Sequence, residues 1–357
     1  MAKVLILENN MEKIRILNDA GEIVDAVAPV IISASRSTDI PAYHSRWFMN
    51  RLNKGYCVWV NPFNQRKIYV SFSRARAIAF WTKNPKPMFD KIDELNKKNI
   101  AYYFQYTIND YENEGLEPGL KSLDCRIEDF IYLSEKIGKG RVVWRFDPIL
   151  LCEKITPREI LMRIWKIGQK LKKYTNKLVI SFVDVSQYRR VKINLLKTGL
   201  YTDENVLLAE PNADQIIELC EGLEKIKLQW KRDGYDIEIS TCCETVNLEK
   251  YGITKNRCID DVLLRKEFSD PELNLFLGGD NKYQDELFGS QTIPIIPNIK
   301  IKDKSQRKEC GCVQSKDIGM YNTCANFCRY CYANISEQVV KNNFKKMNDH
   351  SESIIGL

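Results

Sequence analysis

From Ile31 onward the chain alternates between two kinds of pattern. Short runs of β-branched and aromatic residues recur: IISASR (31–36), YCVWVNPF (56–63), AIAFWTKN (77–84), AYYFQYTI (101–108), VVWRFDPIL (142–150), LVISFVD (178–184) and DIEISTCCE (236–244). Between them lie stretches of helical periodicity. The runs predict six or seven strands, and several are apolar almost throughout, as parallel strands covered on both faces must be. Ahead of them, residues 13–27 read as two alternating strands around an Asp-Ala-Gly turn, a hairpin serving as a lid or edge.

The intervals carry helix signals. Thr156, Pro157 and Glu159 supply a cap, a first-turn proline and a capping-box partner, followed by Ile160, Leu161, Ile164, Ile167 and Leu171 at helical spacing. Asn212 with Gln215 opens a helix that closes near Gly234, and Asp39 with Pro41 opens one that carries Trp47, Phe48 and Leu52 to Gly55. Repeated βα units make either a (β/α) barrel, full or partial, or a doubly wound sheet. No G-x-G-x-x-G follows the first strand, which favours the barrel. The expected organisation is an N-terminal hairpin extension (1–28), a (β/α) barrel (29–269), a linker or lid (270–300) whose Gly-Gly and prolines break any period, and a cysteine-rich cluster-binding segment (301–357).

In such a fold, polar residues at the C-terminal ends of strands face the working mouth. They are Arg36, Thr38 and Asp39; Asn61 and Asn64; Lys83 and Asn84; Gln105 and Thr107; Arg145 and Asp147; Asp184; and Glu244. Of these, Arg36, Lys83, Gln105, Arg145, Asp147, Asp184 and Glu244 are the candidate cofactor- and ligand-binding residues. Arg145 and Asp147 share a strand face, with Phe146 turned the other way, and form the leading candidate pair for gripping a charged ligand. Taken singly, each such residue is also what a cap, turn or surface ion pair would use.

Charge and composition narrow the chemistry. Lys and Arg number 54 against 47 Asp and Glu, a net +7 spread along the chain that permits an anionic substrate without demanding one. No tandem basic and aromatic motif supports nucleic-acid binding. No stretch approaches the roughly 18 apolar residues of a membrane span, and MAKVLILENN offers no cleavage site, so a cytoplasmic protein without membrane partners is expected. Only His44 and His350 are histidines, which excludes sites of clustered imidazoles, whereas there are 12 cysteines, five of them between Cys310 and Cys331. In such a chain they point to metal or redox chemistry rather than a disulfide framework.

YNTCANFCRYCYAN (321–334) places Cys324, Cys328 and Cys331 in a C-x3-C-x2-C array. Three thiolates from one loop serve three irons of a cubane and leave the fourth open. The competing readings are a zinc knot completed by Cys310 or Cys312, and an electron-transfer cluster with a fourth protein ligand. Cys310, Cys312, Cys242, Cys243 and Cys258 are candidates for a second site, an auxiliary four-iron cluster or a zinc; alternatively Cys242 and Cys243 are packing residues and Cys310 and Cys312 supplement the first cluster. Cys57, Cys125, Cys152 and Cys220 fall within strand, loop or helix patterns and read as ordinary residues.

The array, with Tyr330 before its last cysteine, resembles the cluster motif of the radical S-adenosylmethionine superfamily, in which it usually follows the first strand of a partial barrel. The ordered segments ISASRSTDIPAYHSRWF, WTKNPKPM, WRFDPILL, KNRCIDD, KECGC and CANFCRYCYAN are similar to an uncharacterised family, a domain of unknown function whose C-terminal cysteines resemble that motif; the likeness covers roughly residues 31–334. The resemblance implies a four-iron four-sulfur cluster on Cys324, Cys328 and Cys331, S-adenosylmethionine on the unique iron, and a 5′-deoxyadenosyl radical acting on a small-molecule or nucleic-acid substrate. It also implies a reductant such as flavodoxin or ferredoxin. For a motif so near the C-terminus, this requires the tail to fold back over the strand ends. The alternatives are an iron-sulfur redox or sulfur-handling protein that leaves S-adenosylmethionine intact, and a nucleic-acid-binding protein stabilised by zinc.

Overall fold

The computed structural model describes residues 11–278, 302–303 and 306–356. Its strands are β1 (Lys13–Leu17), β2 (Ile23–Val27), β3 (Ile31–Ala34), β4 (Tyr56–Val60), β5 (Lys67–Ser71), β6 (Ala77–Thr82), β7 (Ala101–Thr107), β8 (Val142–Ile149), β9 (Lys177–Phe182), β10 (Glu238–Thr241), β11 (Ile253–Lys255) and β12 (Lys316–Asp317). Eight of them form one sheet in the order β11-β10-β9-β8-β7-β6-β3-β12, and every pair in it is parallel. The protein is thus a mixed α/β fold built on a large parallel sheet. From β3 to β11 the order in space follows the order in sequence.

The alternation of side chains along these strands sorts them onto two faces. Ile32, Ile78, Phe80, Phe104, Trp144, Phe146 and Ile180 pack against the helices. The opposite face carries Ile31, Ala77, Ala79 and Tyr103, covered by Cys258, Ile259, Cys310 and Cys312. Small residues on the second face leave room for that covering segment.

The hairpin expected at 13–27 is present, with register Lys13↔Val27 to Leu17↔Ile23, and β1 is an edge strand. Its partner strand β2 also pairs with β5, so it belongs to a four-stranded sheet, β1-β2-β5-β4. This corrects the place of the 56–63 run. Tyr56–Val60 pairs antiparallel with Lys67–Ser71 and stands outside the large sheet. The turn between them is too short for the dozen or more residues a parallel crossover needs. Asn61 and Asn64, expected at the mouth, instead hold that turn by accepting from Phe63 N at 2.9 Å and Arg66 N at 3.1 Å.

Helix Pro157–Leu171 begins as expected, with the Thr156 hydroxyl accepting from Glu159 N; the Glu159 carboxylate, however, pairs with Arg163 at 2.8 Å. The complete capping box is at Asn212 and Gln215, at the head of helix Ala213–Arg232. Asn212→Ala is expected to cost about 1 kcal/mol in urea denaturation. The helix expected from Asp39 to Gly55 is two helices, Ile40–Tyr43 and Ser45–Lys54, broken at His44. Of the linker expected at 270–300, Asp270 caps helix Pro271–Phe276, which buries Leu273; residues 279–301 lie outside the described residues, as does the N-terminal MAKVLILENN. Among the described residues no helix is long and apolar enough to cross a membrane.

Candidate functional site

The last strand of the sheet is only two residues long, and side chains hold it there. The Asp317 carboxylate accepts from Ser33 Oγ at 2.6 Å, Ser35 Oγ at 2.7 Å and the Arg36 backbone N–H at 2.8 Å. Gly319 follows in close approach to Ser35 and Ser37, where any Cβ would collide. The C-terminal segment therefore returns along β3, and residues 321–334 lie over the C-terminal ends of β3, β6 and β7.

Hydrogen bonds from the loops after those strands fasten the array. Asp39, just beyond β3, accepts from Thr82 Oγ1 at 2.7 Å, Lys83 N at 2.7 Å and Asn326 Nδ2 at 3.0 Å. His44 Nε2 meets Thr323 O at 2.8 Å, Gly119 N donates to Asn326 O at 3.1 Å and Arg329 N to Leu116 O at 2.8 Å. At Gly119 an added methyl would run into the Ala325 carbonyl. Gly119→Ala is accordingly expected to cost about 1–3 kcal/mol, measured as a shift in the urea midpoint.

Cys324, Cys328 and Cys331 are half-buried and near enough for their charges to act on one another. Ala333 N donates to Cys331 Sγ at 3.3 Å, and Asn334 Nδ2 holds the Cys324 carbonyl at 2.8 Å. Burial pushes the Cys328 thiol up to about 12 against the pull of Lys83, and raises the other two. Without a cation these sulfurs stay protonated, so binding a metal must release their protons.

Beside Cys328 lies a buried charge network. Lys83 Nζ pairs with Glu117 Oε1 at 2.8 Å, Arg126 Nη1 reaches Glu117 Oε2 at 3.3 Å, and the Tyr330 hydroxyl donates to the same carboxylate. Burial favours the neutral acid, yet Lys83 and Arg126 hold Glu117 below its ordinary value. Asn109 Nδ2 adds donors to Tyr330 OH at 3.1 Å and to Glu117 at 3.3 Å.

Of the seven candidate binding residues, Lys83 alone brings its side chain to the array, and Arg36 meets the segment only through its carbonyl. Arg145 directs its fork at Asp147 at 2.5 Å, at Gln105 Oε1 at 3.1 Å and at Cys258 Sγ at 3.2 Å. Arg145 and Asp147 thus grip each other, while Phe146 packs on the helix side as expected. Gln105 also donates to the Cys258 carbonyl at 3.0 Å. Arg36 stacks over Trp81 at 5.0 Å, and its Nη2 is buried without a partner. Glu244 accepts from Phe182 N at 2.9 Å and is pushed up to about 7 by burial, with Asp184 and Asp147 adding to the rise. Asp184 pairs with Arg307 at 2.7 Å in an exposed bridge.

The five other candidate cysteines also meet. Cys242 Sγ stands 3.2 Å from Cys258 Sγ and 4.0 Å from Cys243 Sγ, and Cys312 Sγ accepts from the Cys258 N–H at 3.2 Å. Among the described residues, no three Cys, His, Asp or Glu side chains are already arranged as a finished metal site.

The whole constellation, from β3 to the array, is what the comparison with protein families matches. The chain belongs to the family described as Domain of unknown function (DUF1848). That family's model spans residues 31–333, from the first residue of β3 to just past Cys331. No curated protein matches the chain. The DUF1848 span leaves out the β1–β2 hairpin and helix Glu337–Phe344, and contains both groups of cysteines.

Proposed function

We propose that the protein is a radical S-adenosylmethionine-type enzyme, with a four-iron four-sulfur cluster on Cys324, Cys328 and Cys331 and its reaction space over the C-terminal ends of the parallel strands. The observation that carries this reading is the return of the chain along β3 through Asp317, which sets the array above those ends. The sequential strand order from β3 to β11 supports a partial barrel, in which the loops at one end gather over the strand ends.

The residues present suit such a group. Three sulfurs come from one short loop, one of them receives a backbone N–H, and Lys83 beside Cys328 supplies positive charge against the thiolates. When bound, a reduced cluster carrying S-adenosylmethionine supplies a 5′-deoxyadenosyl radical for hydrogen abstraction. The protein's own part is positional. Asp39, His44 and Gly119 fix the loop, and the Lys83–Glu117–Tyr330 network excludes water from the Cys328 side. The substrate is a small molecule or a nucleic acid, and a flavodoxin or ferredoxin supplies the electron.

Anaerobic reconstitution with iron and sulfide is expected to give a cubane spectrum that Cys328→Ala abolishes at this site, and dithionite is expected to release 5′-deoxyadenosine from S-adenosylmethionine. Intact S-adenosylmethionine beside a fully reduced cluster would sink the proposal and leave an iron-sulfur redox or sulfur-handling protein. Zinc without iron at these cysteines would leave the zinc-stabilised nucleic-acid-binding alternative.

A further inference from the structure

Cys242 and Cys243 follow β10, Cys258 follows β11, and Cys310 with Cys312 precedes β12, so three separate segments deliver five thiols to one place. Cys242 Sγ stands 3.2 Å from Cys258 Sγ and 4.0 Å from Cys243 Sγ, and Cys310 and Cys312 pack with them in one buried cluster.

Apolar packing could gather thiols, but it would not aim hydrogen-bond donors at them. Here Arg145 Nη1 at 3.2 Å and Asn256 Nδ2 at 3.3 Å point at Cys258 Sγ, and the N–H groups of Cys258 at 3.2 Å and Ile259 at 3.3 Å point at Cys312 Sγ. A neutral thiol is a weak acceptor, whereas a metal-bound thiolate is a strong one whose basicity such donors tune. The Arg36 and Arg145 guanidiniums stand close enough to act on Cys258, supplying the positive charge that a site of four thiolates on a divalent ion needs.

We infer that Cys242, Cys258, Cys310 and Cys312, with Cys243 at their side, form a second thiolate metal centre, distinct from the array at Cys324, Cys328 and Cys331. The ligand is a thiophilic metal, either zinc or an iron-sulfur cluster. The site goes beyond the proposed radical chemistry and stands whether or not that chemistry occurs. Arg36 lies between the two groups: its carbonyl accepts from Tyr332 OH at 2.7 Å on the array side, while its guanidinium lies near Cys312 and Cys258.

The test is the metal and acid-labile sulfide content of the full chain purified anaerobically, compared with a Cys324→Ala/Cys328→Ala/Cys331→Ala variant and with that variant further carrying Cys258→Ser and Cys312→Ser. The triple variant is expected to keep bound metal, and the additional substitutions are expected to remove it; iron with sulfide identifies a cluster and zinc without sulfide a single ion. Should the combined variant not fold, alkylation of the folded triple variant decides. The five thiols are expected to resist iodoacetamide until a chelator is added. A folded triple variant with no bound metal, equal labelling with and without chelator, or a disulfide among these five cysteines overturns the inference. Failure of S-adenosylmethionine cleavage overturns only the proposed function, because the metal content of the triple variant does not depend on it.

Discussion

Glu117→Ala is expected to lower the free energy of unfolding by about 3–5 kcal/mol, the range typical of breaking a buried ion pair by removing one partner. The Glu117 side chain is 2% exposed, that of Arg126 2% and that of Lys83 14%. Two cations therefore converge on one carboxylate with almost no water to screen them. Without it, Lys83 and Arg126 would oppose each other in a site that Asn109 and Tyr330 also line, and the Tyr330 hydroxyl would lose its acceptor. Glu117→Gln keeps the shape and one acceptor oxygen and should cost less. The exposed pair Lys170–Asp124, at 54% and 77% exposure, is the internal control; its removal should change stability by about 0–1 kcal/mol. Urea denaturation of the metal-free protein measures all three. Because Tyr330 lies between Cys328 and Cys331, Glu117→Ala should also weaken metal retention at the array, whereas Lys170→Ala should not.

The residues that make this network show where sequence reasoning reaches its limit. Six of the seven strand runs belong to the large sheet, because a strand buried on both faces must be apolar along its length, and that is visible locally. The seventh, Tyr56–Val60, is as apolar as the rest, and only the short turn after it reveals an antiparallel partner. β11 and β12, of three and two residues, are too short to carry a period. The rule of polar residues at strand ends reaches Lys83, and carried two residues past β7 it reaches Asn109; Arg145 and Asp147, inside β8, pair with each other away from this network. Glu117 carries no such signal: in YENEGLEPG it has the polarity of a solvated loop, and its burial depends on Arg126 and Tyr330, the second of them distant in sequence. The meeting of the five cysteines was suggested by their number, but their contacts depend on β12 docking on β3 through Asp317, an interaction between segments nearly the whole chain apart.

His44 should make the protein lose stability as pH falls below about 6.5. Its Nε2 donates to the Thr323 carbonyl at 2.8 Å, which fixes the neutral tautomer and leaves Nδ1 as the site for a second proton. Nδ1 is buried with no partner. Protonating it would place a charged N–H among Tyr43, Phe344 and Thr38, with no acceptor in reach of that nitrogen. Burial accordingly lowers the group to about 4, with the Thr323 carbonyl opposing, from an unfolded value near 6.5. Between those values the unfolded chain takes up a proton that the folded protein refuses. The contribution is therefore intact above pH 6.5 and falls as pH drops, and the loss amounts to about 3 kcal/mol once pH 4 is reached. Asp39, raised by burial, acts with the opposite sign, so the wild-type curve alone does not isolate the histidine. The measurement is the difference in urea stability between wild type and His44→Gln across pH 4 to 8, since glutamine can still donate to Thr323 but does not titrate. That difference should be constant above pH 7 and shift steadily in favour of the variant below pH 6.5; a difference independent of pH would mean that His44 is protonated as readily in the folded protein as in the unfolded chain.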